Sequence, residues 1–192
     1  LSEERVAFVG KPHRGIPGAV LDSGMVDPTE MVRDDLWNRG WAYWRYTREI
    51  AEALYGSRAF QSIAMTNVIR CSNSHAQDLT TQVMARSCVK ELGVVWKELE
   101  LIKPRSVIFY TYNLYPSLLE NVPFAKPGTL REITPRQHCV ACGEKQLGWW
   151  ERACSVSWCD DLRILVVGHP ERKNKAEFIG RVLNWIRREN DA

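Results

Sequence analysis

Asn67 closes the short apolar run Ile63-Ala64-Met65-Thr66-Asn67, and Gly168-His169-Pro170 follows the run Arg163-Ile164-Leu165-Val166-Val167. Each run stops abruptly at polar residues and leads into a helix-like segment. A carboxamide offers an acceptor and two donor hydrogens, enough to read the edge of a pyrimidine. An imidazole can move a proton or stabilise a developing anion near neutral pH. In an open α/β sheet, ligands sit in the crevice outside the carboxyl ends of the strands. An amide and an imidazole at two such ends can therefore converge on one small polar molecule.

The elements that must hold them alternate between strand and helix. Residues 6–9 read as a first strand, followed by a Gly/Pro-rich loop over 10–24. A helix is predicted over 34–55, with Trp41, Trp44, Ile50, Ala51, Leu54 and Tyr55 near helical spacing. A second strand covers 63–66. A long helix is predicted over 78–102, with Leu92, Val95, Trp96, Leu99 and Ile102 on one face and Pro104 ending it. Strands at 106–112 and 163–167 and a closing helix over 176–188 complete the pattern. Short apolar strands alternating with helices predict a three-layer α/β/α sandwich with a four-stranded, mainly parallel sheet. The segment 120–161 is a Pro-, Gly- and Cys-containing insertion whose structure periodicity does not define.

Composition bounds the rest. At 192 residues the chain suits a single domain, 1–192. Apolar content of 45% and charged content of 26% are ordinary for a soluble globular protein. A net charge of +3 gives no bulk electrostatic footprint, so any nucleic-acid surface must come from local clustering. No apolar run approaches the ~20 residues that span a bilayer, and no signal peptide is visible. A chain that begins at Leu1 reads as one whose natural N-terminus was trimmed. Six cysteines without a secretory signal read as reduced thiols or metal ligands, which fits a cytoplasmic protein.

Five motifs in order resemble the uracil-DNA glycosylase superfamily: Phe8-Val9-Gly10-Lys11-Pro12, Thr66-Asn67-Val68-Ile69-Arg70-Cys71, Cys88, Ile102-Lys103-Pro104-Arg105-Ser106-Val107-Ile108, and Gly168-His169-Pro170. The Asn-Val-x-x-Cys … Cys … Ile-x-Pro portion is most similar to the branch that carries an iron–sulfur cluster. The resemblance spans nearly the whole chain and implies a uracil-DNA glycosylase-like fold acting on DNA as a monomer, with no organic cofactor. It further implies that a nucleotide is flipped from the duplex and its base is read by hydrogen bonds and stacking. Asn67 would read the base edge, Gly10 would also contact the base, and His169 would stabilise charge on the departing base.

The first motif departs from the family. Relatives carry an acidic or amide residue one or two positions after the glycine, where it handles water, and this chain has Gly10-Lys11-Pro12-His13. Lys11 can stabilise an anion, or attack the sugar as an amine if its pKa is lowered. His13, Asp22 and Asp27 are further candidates for water. No bulky aromatic lies between Gly10 and Leu36, so the pocket has room for uracil or for a bulkier 5-modified pyrimidine, unless Trp37, Trp41 or Tyr43 supplies the wall. Trp41 is the candidate base-stacking residue of this helix, and Trp44 reads as core.

Glu171-Arg172-Lys173-Asn174-Lys175 follows His169-Pro170, where relatives carry a loop that enters the minor groove. Arg172, Lys173 and Lys175 can neutralise phosphates, and Asn174 or Arg172 can fill the space of the flipped base. Among the thiols, Cys139-x-x-Cys142 with Cys154 and Cys159 fits a tetrahedral zinc site, with His138 adjacent. Cys71 and Cys88 match iron-holding positions of the cluster-bearing relatives, and a cluster on Cys71, Cys88, Cys139 and Cys142 is the alternative. Small buried thiols are a third reading. Two other functions stand beside excision. One is a catalytically inactive DNA-binding module of the same fold. The other is a doubly wound small-molecule enzyme holding a nucleotide phosphate at the Gly10–Gly18 loop, although the loop lacks Gly-x-Gly-x-x-Gly and Gly-Lys-Ser/Thr.

Overall fold

The computed structural model of the protein describes residues 5–10, 36–69, 80–112, 114 and 116–188. Lys11, His13, Asp22, Asp27 and Cys71 lie outside the described residues, as does most of the glycine-rich loop after Gly10. The strands are β1 (Val6–Gly10), β2 (Ile63–Asn67), β3 (Ser106–Phe109), β4 (Arg131–Glu132), β5 (Cys139–Cys142), β6 (Lys145–Cys154) and β7 (Leu162–Val167). The helices are α1 (Ala42–Tyr55), the single turn α2 (Ala59–Ser62), the single turn α3 (Gln82–Ala85), α4 (Val94–Ile102) and α5 (Lys175–Arg187).

The fold is α/β, and its sheet is mixed and seven-stranded rather than four-stranded. Strand order is β2-β1-β3-β7-β6-β4, with β5 paired to β6. β1 pairs in parallel with β2 and β3, and β3 pairs in parallel with β7. The Cys-containing segment is the source of the extra strands. β6 lies antiparallel on β7, and β4 and β5 lie antiparallel on β6. The β5–β6 turn is tight because Gly143 sits at φ 62°, a conformation glycine adopts without steric cost.

Each face of the sheet buries its own core. Ala7, Val9, Val107, Phe109, Ile164, Val166 and Trp150 pack with Val95, Trp96 and Leu99 of α4. Val6, Phe8, Ile108, Leu165, Val167 and Trp149 pack with Tyr46 and Ile50 of α1 and with Phe178, Val182 and Trp185 of α5. The alternation of the two sets along each strand follows from the period-2 geometry of a pleated backbone. All five residues of β1 are buried, and a side chain such as Phe8 contributes about 1.5–3 kcal/mol by leaving water.

The helix predicted over 78–102 is broken. The short helix α3 is capped by Thr81, whose hydroxyl accepts from the Met84 amide at 3.2 Å. It passes into a π-helical turn at Arg86–Glu91, and α4 starts after Gly93 at φ 56°. The interruption puts Leu92 out of phase, so it is exposed instead of joining Val95, Trp96 and Leu99 in the core. The helix predicted over 34–55 is also shorter, beginning at Ala42 after a 3-10 turn at Leu36–Asn38.

Candidate functional site

The parallel register pairs Gly10 directly with Asn67, so both stand at the carboxyl edge of the sheet. Gly168 and His169 leave β7 at the same edge, because β7 runs parallel to β3 and through it to β1. β2 and β7 are three strand spacings apart, about 14 Å. Tyr43, from the first turn of α1, fills that span. Its ring lies nearly parallel to the His169 imidazole, at 14° with centroids 6.4 Å apart. It meets Tyr110 edge-on at 5.5 Å. A Cβ added at Gly10 would stand 2.5 Å from Asn67 Oδ1 and 3.0 Å from two carbons of the Tyr43 ring. Glycine is therefore required here by close approach: the carboxamide and the phenol ring both press against its Cα.

His169 is oriented by its own loop. The Glu171 amide donates to His169 Nδ1 at 3.3 Å, which leaves the proton of the neutral ring on Nε2. The preceding Gly168 amide donates to the Gly148 carbonyl at 3.0 Å, tying the loop to β6. Next to His169 opens a cavity of about 530 Å³ lined by Tyr112, Cys139, Gln146, Gly148, Arg172 and Lys173. The Tyr112 ring lies flat on Gly148, where any Cβ would enter the ring. Its hydroxyl reaches the His138 carbonyl at 3.3 Å and Cys139 Sγ at 3.4 Å. The contact with the Cys139 thiol, and then partial burial, push the Tyr112 phenol up to about 12. At neutral pH it is a hydrogen-bond donor.

The basic loop is held more firmly than a solvated connection. Lys173 Nζ donates to the Gln146 carbonyl at 3.0 Å, and Lys145 Nζ donates to the Arg172 carbonyl at 3.1 Å. Tyr46 donates its hydroxyl to the Lys173 carbonyl at 3.1 Å. Lys175 pairs with Glu49 at 2.9 Å. Asn174 is the N-cap of α5, its side chain accepting from the Glu177 amide at 3.2 Å. That leaves Arg172 as the projecting cation. It sits at φ 61°, its side chain is 84% exposed, and its nearest carboxylate, Glu171, is 3.9 Å away.

Trp41, the candidate base-stacking residue, is 59% exposed and has the Arg39 guanidinium over its ring at 5.8 Å. Trp37 packs edge-on against Phe60, and Trp44 is buried as core. The aromatic at the strand ends is Tyr43. Of the three aromatics that could supply the wall, Trp37, Trp41 and Tyr43, it is Tyr43 that lies at the strand ends, and Tyr112 and Gln146 join the candidate site without a sequence signal. The signal for Tyr43 is its position in the first turn of a helix that packs over the Gly10 strand end.

Cys139, Cys142, Cys154 and Cys159 are not gathered around one point. Cys139 opposes Gly148 and Cys142 opposes Lys145, whereas Cys154 ends β6 six residues beyond Gly148, about 20 Å along the strand. Cys139 and Cys142, three residues apart on one strand, also point to opposite faces. Cys142 enters the core under α5, and Cys139 stands by Tyr112. Cys88 belongs to the core on the other face, away from Cys142. Among the described residues no three His, Cys, Asp or Glu side chains are grouped to hold a metal ion. Burial and the neighbouring Cys159 push the Cys154 thiol up to about 11.

No protein-family model matches the chain, and no curated protein matches it.

Proposed function

We propose that this protein is a DNA N-glycosylase that flips a pyrimidine nucleotide and hydrolyses its glycosidic bond. The observation that carries the proposal is the convergence of Asn67, Gly10, Tyr43 and His169 on one edge of the sheet. In this reading the parallel strands β2-β1-β3-β7 form a uracil-DNA glycosylase-like core. The Asn67 carboxamide reads the base edge with its acceptor and donors. Gly10 lets that amide and the base approach the strand end. Tyr43 provides the wall and stacking surface next to His169. As the C–N bond lengthens, the base leaves as an anion, and His169 Nε2–H donates to the oxygen on which that charge develops. Water then attacks the sugar, leaving an abasic site. The base is uracil or a bulkier 5-modified pyrimidine.

Arg172, at the apex of the loop that positions His169, is the residue placed to reach a phosphate or the space vacated by the base. The protein acts as a monomer, inside the cell. Among the described residues no helix is long and apolar enough to cross a membrane.

A DNA-binding module that does not cleave is the second reading, favoured by Lys11 standing where relatives carry a water-handling residue. Incubation with duplexes containing uracil, 5-hydroxymethylcytosine or a glucosylated cytosine, followed by alkali, separates the two. Strand breaks at the modified position support excision. Binding without breaks on any duplex supports the module.

A further inference from the structure

A second cavity, of about 260 Å³, lies between the β5–β6 hairpin and the outer half of α5. It is lined by His138, Val140, Glu151, Arg181, Asn184 and Arg188, together with Thr134 and Trp149. At its base is Glu151, only 8% exposed although it carries a carboxylate. Both carboxylate oxygens accept indole protons: Oε1 from Trp149 at 2.6 Å and Oε2 from Trp185 at 3.0 Å. Two tryptophans from different elements thus hold one acid in place, and Arg163 backs the Trp185 ring at 4.3 Å. Among the described residues no cation reaches the Glu151 oxygens within ion-pair distance. Each oxygen keeps a lone pair beyond its indole bond.

A buried carboxylate with neutral donors alone is incompletely compensated, and buried charges in proteins are normally paired. The cavity therefore favours a positive group at its base. Arg181 and Arg188 on the lining repel a simple amine, so a ligand that brings an ammonium must also bring an anion to meet them. We propose that this cavity binds a small zwitterion of the α-amino acid class, its ammonium on Glu151 and its carboxylate toward Arg181 and Arg188. The volume falls below the usual range for drug-sized ligands, which agrees with a ligand of this size. The site is separate from the strand-end crevice: it opens beside α5, on the face of the sheet that holds Trp149 and Trp185.

The two indole N–H groups report on the site directly. In ¹H–¹⁵N spectra of the full chain, titration with glycine, L-serine or L-lysine should shift the Trp149 and Trp185 indole signals saturably. Methylammonium and acetate, each carrying one half of the ligand, should bind at least about tenfold more weakly than the best amino acid. The double variant Arg181→Gln/Arg188→Gln keeps the buried acid and should weaken amino-acid binding by about tenfold or more with an unchanged melting temperature. Glu151→Gln should abolish it; if that variant fails to fold, the arginine pair still decides. The proposal is overturned if no amino acid shifts either indole at about 10 mM, a level that would register even millimolar affinity. It is also overturned if methylammonium binds as tightly as the amino acids, or if a purine nucleotide binds more tightly than any of them.

Discussion

Gly10→Ala is the most informative single substitution at the strand ends. The new Cβ would meet Asn67 Oδ1 at 2.5 Å and the Tyr43 ring at 3.0 Å. Non-bonded heavy atoms settle at about 3.5 Å or more, so the carboxamide must retreat by about 1 Å. Asn67 closes its strand and Tyr43 is half-buried on α1, so the displacement can be taken up locally. Overpacking of this kind costs about 1–3 kcal/mol of stability. The kinetic cost is of comparable size, because a misplacement of about 1 Å in a positioning group lowers a rate by about 100-fold. Single-turnover release of base from the best duplex substrate should therefore fall by about two orders of magnitude, equivalent to about 2.7 kcal/mol. DNA affinity should be retained, since Gly10 is no part of the basic loop. Release within about threefold of the parent, with an unchanged melting temperature, would refute the claim that Gly10 exists to admit Asn67 and Tyr43.

The basic loop should respond unequally to substitution. Arg172→Ala should shallow the salt dependence of DNA binding by about one unit, as loss of one phosphate contact does, and Lys175→Ala should change it less because Lys175 is paired with Glu49. Equal slopes for the parent and Arg172→Ala would move the DNA surface elsewhere. Asn174→Ala should lower stability by about 1 kcal/mol through loss of the α5 cap, read as a shift in the denaturant midpoint at constant m. Among the thiols, Cys139 is exposed whereas Cys154 is buried with its pKa pushed up to about 11. Alkylation of the native protein near pH 8 should therefore label Cys139 well before Cys154, as followed by peptide mass spectrometry. Labelling in the reverse order would contradict the burial of Cys154.

β1, β3 and β7 were legible because each is a short apolar run buried along nearly its whole length, which leaves an uninterrupted hydrophobic signature, whereas β2 is a partly exposed edge strand marked by its abrupt end at Asn67. β6 was not legible, since Glu151 and Arg152 interrupt its run. Their charges are accommodated by contacts far away in sequence, Trp185 for Glu151 and the Leu119 carbonyl for Arg152. The long helix failed at Gly93, where one residue at positive φ resets the phase of the apolar face. Asn67, Gly10 and His169 could be picked out because strand ends are where an α/β sheet places ligands. Tyr43 could not be told from Trp41 two residues earlier. Trp41 is the N-cap and turns to solvent, whereas Tyr43 lies inside α1 and faces the strand ends. The four cysteines are spread apart because Cys-x-x-Cys spacing gathers two thiols in a loop but divides them between faces on a strand.

The central claim is that Asn67 and His169 act on one base. Mass-spectrometric quantitation of free base, from the parent protein and from Asn67→Ala and His169→Ala on the same modified duplex, tests it most directly, with DNA affinity measured alongside. The prediction is that the parent releases base and Asn67→Ala releases none. His169→Ala should slow release by about 10²–10³-fold, as removal of a donor to a developing anion does. Both variants should bind the duplex nearly as well as the parent. Release by Asn67→Ala at the parental rate, or no free base from the parent on any uracil- or modified-cytosine duplex, would contradict it.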